Sequence, residues 1–384
     1  MPNGPKLKVG LVFDDSLDRD DGVAQYVRRL GDWLSQNGHE VQYLTGQTSM
    51  KDWRSVPVLS LSRNISVKFN GNRLTMPLWS NTRKIKKLLD TEQFDILHVM
   101  VPYSPLMAHK VILNSPAETV VVGTFHIFPS GFLSKFGSRL LRLWCSRSLR
   151  RFQEFAAVSQ PAADFAKSSY HIDCSVIPNP VDLRQFSLKN KTSSRSENIV
   201  FLGRLVKRKG CEQLLKAFAL IKDEFPDVRL IVAGTGQQAG SLKNKSEQLG
   251  LGSRVEFRGY IPEEDKPKLL SSASIACFPS LYGEAFGIVL IEAMAAGAQT
   301  VLGGDNPGYR SVLSERPELL FDPNDTREFA AKLRTYLKDP SKRRTIGDWQ
   351  SQTVKQYDVA IVGNKIVDLY ERAIAKTPKN RHND

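Results

Sequence analysis

Two stretches of this chain carry residue types at spacings that suit binding of an anion. Gly203-Arg204-Leu205-Val206-Lys207-Arg208-Lys209-Gly210 follows an apolar run (Asn198 to Leu202) and precedes residues at helical spacing. Free N–H groups and the dipole at a helix N-terminus attract phosphate; Arg204 would add a planar fork and Lys209 a point charge. The plainer alternative is a solvated basic loop. The second stretch runs Ser280-Leu281-Tyr282-Gly283-Glu284-Ala285-Phe286-Gly287-Ile288-Val289-Leu290-Ile291-Glu292. Glu284 falls in a loop after a strand. Glu292, eight residues on, falls about two turns inside a helix that starts near Gly287. A loop carboxylate there could accept hydrogen bonds from sugar hydroxyls, and one on the helix could hold a ribose diol. The N–H groups of Phe286, Gly287 and Ile288 would face a phosphate. The alternative is that Glu284 caps the helix and Glu292 is exposed.

Taken together, the two stretches describe a diphosphate held by cations and a helix end, with carboxylates on flanking hydroxyls. That is the outline of a nucleotide-diphosphate sugar. Gly234-Thr235-Gly236 lacks the third glycine of a dinucleotide fingerprint, and no P-loop sequence is present.

The elements that would position these residues alternate strand and helix. Apolar runs at Lys8–Phe13, His39–Leu44, Asp95–Val99, Val120–Phe125 and Glu154–Val158 read as buried parallel strands. The pattern restarts at Asn198–Leu202, Val228–Ala233, Val255–Arg258 and Ser274–Phe278, with a helix from Gly210 to Ile221. Ser187 to Glu197 reads as a loop. The expected fold is α/β, two Rossmann-like doubly wound parallel-sheet domains facing a central cleft. The expected boundaries are 1–182, 183–357, and 358–384 as a C-terminal helix with a short tail.

Composition narrows the classes. The chain has 384 residues, 41% hydrophobic and 24% charged, enough for two cores and too apolar for wholesale disorder. No apolar run approaches the ~20 residues of a membrane span, and no signal-peptide pattern opens the sequence. Cys145, Cys174, Cys211 and Cys277 are scattered, as neither a disulfide framework nor a zinc site, which fits a reducing cytoplasm. The excess of 54 Lys and Arg over 40 Asp and Glu points to an anionic partner.

GRLVKRKG with CEQLLKAF, IVAGTG, FRGYIP, FPSLYGEAFGIVLIEAMAAG and VIPNPVDLRQF resemble the family 4 retaining glycosyltransferases of GT-B fold, over about residues 8 to 372. The resemblance implies a donor site in the C-terminal half. Arg204 and Lys209 would hold the donor diphosphate, Glu284 would stand near the transferred sugar and Glu292 on the ribose. Gly203 and Gly234 would belong to the donor site, and Gly259, Tyr260 and Ile261 would lie near the base. It implies that His126, in Gly123-Thr124-Phe125-His126, faces the sugar, and that Gly22 lies in the first loop. It further implies a GDP- or UDP-sugar donor, no tightly bound cofactor and no essential divalent cation. The N-terminal half is most similar to phosphatidylinositol mannosyltransferases, through Asp21 to Val27, Phe94 to His98 and Gly123 to His126. Relatives usually carry two glycines in the first loop. Here Asp21-Gly22 ends an acidic run beginning at Asp14, and carboxylates there would repel donor phosphates unless they point away or hold a cation. Pro180 also stands where many relatives have glycine.

Residues 131–152, GFLSKFGSRLLRLWCSRSLRRF, hold six Lys or Arg and no acid, interleaved with Phe, Leu and Trp144. With Lys135, Arg139 and Arg142, and with Arg83, Lys84, Lys86 and Lys87 upstream, they suit an anionic membrane surface beside the acceptor. An ordinary surface helix is the alternative. Nucleic acid is the rival anion, and neither a binding motif nor a basic tail supports it. The expectation is a retaining hexosyltransferase, peripheral on the cytoplasmic membrane face, moving mannose from GDP-mannose to a lipid such as phosphatidylinositol. The other readings are transfer to a soluble or polysaccharide acceptor, nucleotide-sugar epimerisation, and sugar binding without turnover.

Overall fold

The computed structural model of the chain describes residues 6–18, 21–69, 72–126, 137, 140–186 and 197–377. They form two compact units. One runs up to Pro180 and resumes at Val359; the other is Val181–Asp358.

In the first unit, β1 (Lys8–Phe13), β2 (Glu40–Thr45), β3 (Asp52–Trp53), β4 (Val56–Ser60), β7 (Ile96–Met100), β8 (Val120–Phe125), β9 (Phe152–Ala157) and β10 (Ser175–Val176) make one sheet. Its order is β10-β9-β8-β7-β1-β2-β4-β3. All pairs are parallel except β3 with β4. β5 (Ser62–Phe69) and β6 (Asn72–Ser80) form a separate antiparallel pair.

The strands are apolar on both faces because both faces are covered. Val9 and Leu11 of β1 point into a core with Val27, Leu30 and Leu34 of the helix Gly22–Gln36 and with Ile366, Leu369 and Tyr370 of the helix Val359–Lys376. Val12 of β1, with Leu97 and Val99 of β7, points the other way, toward Ile85, Leu89, Met107 and Val111 on the helices Thr82–Glu92 and Met107–Asn114. This two-sided alternation is the signature of a doubly wound sheet.

The second unit is built on β11 (Asn198–Leu202), β12 (Arg229–Ala233), β13 (Val255–Gly259), β14 (Ile275–Phe278), β15 (Val301–Gly304) and β16 (Leu320–Phe321), in the order β13-β12-β11-β14-β15-β16, all parallel. Chain order reverses on either side of β11, so its carboxyl end and that of β14 frame a switch point, where such sheets bind ligands. In the first unit, β1 between β2 and β7 is the equivalent place.

Candidate active site

The two motif stretches meet at the switch point of the second unit. Gly203 follows β11 and Pro279 follows β14. Lys207–Lys209 forms one turn of 3-10 helix, closed by Gly210 at φ 70°. A Cβ at Gly210 would lie 1.9 Å from the carbonyl oxygen of Pro279, so only glycine lets the basic turn seat against the strand end. The Leu281 N–H donates to the Arg208 carbonyl at 2.8 Å and ties the two loops together. Gly203, Gly234 and Gly259 line up across the ends of β11, β12 and β13. The Gly203 N–H donates to Ala233 O at 3.0 Å and the Gly234 N–H to Gly259 O at 2.6 Å. A Cβ on Gly234, at φ 133°, would fall 1.9 Å from Gly203 O. Tyr260, just past Gly259, is exposed, and Ile261 is partly buried.

Glu284 does not cap the following helix. The Arg208 guanidinium donates to its Oε1 at 2.9 Å, and the Lys209 ammonium donates to the same oxygen at 2.7 Å. All three side chains are mostly buried, 22% (Arg208), 17% (Lys209) and 13% (Glu284) exposed. Burial pushes the Glu284 carboxyl up, but the charges of Lys209 and Arg208 outweigh it and hold the group below the usual carboxylate range. Lys209 is also shifted down, first by burial and also by Arg208 and Arg204, against the raising effect of Glu284. The two shifts agree physically: two cations bonded to one carboxylate, with the charge of Arg204 also felt at Lys209, leave an excess of positive charge. Such a cluster stabilises an incoming anion. Arg204 itself is exposed at the mouth of the basic turn.

The helix Ile288–Ala296 begins at Gly287, and no side chain at the cap position covers its first N–H groups. Phe286 is buried edge-on against Tyr357 at 5.6 Å, which fixes the loop before the helix. Ile288 is partly buried. Glu292 is only 2% exposed. It is the fifth residue of the helix, so it sits little more than one turn in rather than two. An ionisable side chain inside an otherwise apolar helix, away from solvent, is not the exposed residue of the plainer reading.

In the first unit, Gly22 opens the helix Gly22–Gln36, and Asp21 is its cap. The Val23 and Ala24 N–H groups both donate to Asp21 Oδ1 at 3.0 Å. Asp18 accepts from Thr48 and Ser49. Asp14, at the end of β1, accepts from the Ser104 hydroxyl and from the Ala108 N–H, the latter at 2.7 Å. The helix Met107–Asn114 has no cap from its own Leu106, so Asp14 serves from another element. These three carboxylates therefore spend their oxygens on backbone and hydroxyl groups. Among the described residues, no three His, Cys, Asp or Glu side chains gather as a metal site. His126 follows β8, buried, 4.5 Å edge-on from Tyr26 and with Nε2 3.2 Å from Met100 Sδ. Burial, with His98 nearby, pushes it down to about 3, so the imidazole is neutral.

The chain is similar to known proteins over both units. A family model described as Glycosyltransferase Family 4 matches residues 21–185, and one described as Glycosyl transferases group 1 matches 184–350. The phosphatidyl-myo-inositol mannosyltransferase of Mycolicibacterium smegmatis is 30% identical over 376 residues, 95% of this chain and 94% of that protein. The protein of the same name from Mycobacterium tuberculosis is 30% identical over 95% of this chain and 97% of its own length. The chain belongs to the family 4 glycosyltransferases of GT-B fold. A Rickettsia africae glycosyltransferase superposes with a TM-score of 0.76 at 17% identity, covering 97% of this chain and all of that one. Anabaena Alr3699/HepE in complex with UDP and glucose gives 0.72 at 19%, covering 94% and 98%.

In this glycosyltransferase the surface residues singled out by charge divide in two. Arg83, Lys84, Lys86 and Lys87 are all exposed on the helix Thr82–Glu92, while Ile85 and Leu89 face the core. Arg83 and Lys84 occupy the first turn, where the helix dipole disfavours cations, so helix stability does not explain them. Arg142 is partly buried, and Leu143 and Trp144 are 73% and 70% exposed. Lys135 and Arg139, with Phe132, Leu133 and Phe136, lie outside the described residues, as do residues 187–196 and the tail from 378. Among the described residues, no helix is long and apolar enough to cross a membrane. Sequence reasoning did not single out Arg208 as a partner of Glu284. It also missed the buried hydroxyl pair Ser280 and Tyr309, 3.0 Å apart, beneath the Glu284 loop. Arg208 carried a signal in its place next to Lys209; Tyr309, some 25 residues downstream in chain order, carried none.

Proposed function

We propose that this glycosyltransferase moves a hexose, mannose from GDP-mannose, to a membrane lipid acceptor such as phosphatidylinositol or a related glycolipid precursor, with retention of configuration. The donor reading is carried by one observation: Glu284 held by Arg208 and Lys209 beside an uncapped helix N-terminus, within a cluster of net positive charge. The lipid reading rests on the 30% identity to phosphatidyl-myo-inositol mannosyltransferases across nearly the whole chain. The exposed cations of the helix Thr82–Glu92, together with Arg142 and Trp144, support peripheral attachment to an anionic membrane face.

In this reading Arg204 and Lys209 bind the donor diphosphate, Glu292 the ribose, and the end of β13 at Gly259 to Ile261 lies near the base. The bond from the anomeric carbon to the leaving phosphate breaks as the acceptor oxygen bonds that carbon from the same face. The acceptor proton passes to the leaving phosphate oxygen. Charge grows on the leaving diphosphate, and the two cations with the helix end at Gly287 and Ile288 stabilise it. They supply positive charge that a divalent ion would otherwise bring, so turnover persists with a chelator. His126, neutral at working pH, hydrogen-bonds the sugar rather than acting as a cation.

The test is nucleotide release from GDP- and UDP-sugars, with and without vesicles containing phosphatidylinositol or total lipid. Release from one donor only with lipid, and labelled sugar moving into the lipid, is expected. Arg204→Ala and Lys209→Ala should each cost on the order of a hundredfold in turnover. Near-normal rates in both would remove the donor assignment. Turnover with a soluble sugar and no lipid dependence would reassign the acceptor.

A further inference from the structure

In the proposed donor complex two anions compete for the Lys209 ammonium. It sits 2.7 Å from Glu284 Oε1, yet the proposed donor site needs it on a phosphate oxygen. Arg208 bonds that same carboxylate oxygen at 2.9 Å, and its carbonyl accepts from Leu281 N–H at 2.8 Å, three residues before Glu284. Arg208 thus grips the Glu284 loop by main chain and side chain at once. We propose that Arg208 is a positioning residue, the standing partner that keeps Glu284 ionised and in place when Lys209 turns from it to the donor diphosphate.

The inference rests on the donor reading above and goes beyond it by dividing the roles of two adjacent cations. A guanidinium suits the standing role because it stays charged whatever surrounds it, and its several N–H donors hold a carboxylate in a fixed direction. An ammonium on a flexible stem suits the exchanging role. The Arg208–Glu284 pair is also mostly screened from water, and removing one partner of a buried pair leaves the other charge uncompensated. With Lys209 engaged elsewhere and Arg208 absent, Glu284 would lose the two cations that oppose its burial, and it would take up a proton.

The test compares Arg208→Gln, Arg208→Met and Arg208→Lys with wild type and Lys209→Ala. It uses the donor that the wild-type enzyme cleaves, and reads kcat, donor KM and the pH profile of kcat. The neutral Arg208 variants should lose at least tenfold in kcat with donor KM within about threefold, and the acid limb of kcat should move up by about one pH unit. Arg208→Lys should recover most of the rate. Lys209→Ala should raise donor KM as well as lower kcat. Two neutral variants guard against one failing to fold, and a thermal melt of each sorts lost fold from lost function. Retained kcat, or lost kcat with the acid limb unmoved, overturns the inference while leaving the donor reading intact. A wild-type enzyme that releases nucleotide from no donor overturns both.

Discussion

Gly210 shows how narrowly single residues set this site. Its φ of 70° costs a side-chain-bearing residue ~1–2 kcal/mol, and a Cβ there meets a backbone carbonyl at 1.9 Å that cannot swing aside. Adding an overpacking cost of ~1–3 kcal/mol, Gly210→Ala should destabilise the second unit by about 2–5 kcal/mol and displace Lys209 from Glu284. The control is Gly240→Ala. Gly240 lies inside the helix Ala239–Gln248 with nothing near its would-be Cβ, and that variant should gain about 0.5–1 kcal/mol. Denaturant midpoints of the two variants should move in opposite directions; a Gly210→Ala midpoint equal to wild type would remove the close-approach argument. The residue types of the site were legible because the motifs are local in sequence. Which of Lys207, Arg208 and Lys209 turn toward Glu284 was not, because that depends on one turn of 3-10 helix and on a contact between loops more than seventy residues apart.

At the scale of elements, Asp21 turned from a departure into an explanation. Read as sequence, an acid in place of glycine threatened the donor phosphates. In the structure its carboxylate is spent on the Val23 and Ala24 N–H groups and caps the helix. Asp21→Ala should cost about 1 kcal/mol through the lost cap, and Asp21→Gly only a few tenths, since glycine is tolerated at that position. The prediction fails if Asp21→Gly is the more damaging of the two in thermal unfolding. The parallel strands were legible for the reason that they are buried on both faces and so read as continuous apolar runs. The β5–β6 pair was not read from sequence. Ser62–Phe69 mixes polar and apolar residues without a clean apolar run, and the Asn70-Gly71 turn signal between the two strands went unused. The two-residue strands β3, β10 and β16 are too short to carry any period.

Across the whole molecule, acid stability turns on buried groups whose proton affinities pull in opposite directions. Burial pushes His98 and His126 down to about 3, so neither takes a proton in the folded state until the pH is far below the ~6.5 at which each does so unfolded. Each therefore contributes stability that is complete above pH ~6.5 and is lost on acidification, at roughly 1.4 kcal/mol per pH unit. His39 and His109 are shifted the same way by burial and add to the loss. Asp14 opposes them. Burial raises it to about 6, against the hydrogen bonds from Ser104 and Ala108, so the folded state takes a proton before the unfolded chain does. Acidification from pH 6 toward 4.5 thus recovers roughly 1.4 kcal/mol per unit through Asp14, less than the two deeply buried histidines together forfeit. Wild type should grow less stable across that window. Asp14→Asn removes the compensation and should steepen the decline by about 1.4 kcal/mol per pH unit. His98→Gln should flatten it by a similar amount, since the amide can still meet Tyr370 and Thr124, which now bond the imidazole at 2.8 and 2.6 Å. Urea midpoints of the three proteins from pH 7 to 4.5 decide the matter. If the Asp14→Asn curve runs parallel to wild type, the cap at the end of β1 keeps an ordinary carboxylate and the compensation does not exist. If the His98→Gln curve runs parallel, the imidazole that joins the helix Val359–Lys376 to β7 and β8 is protonated in the folded enzyme.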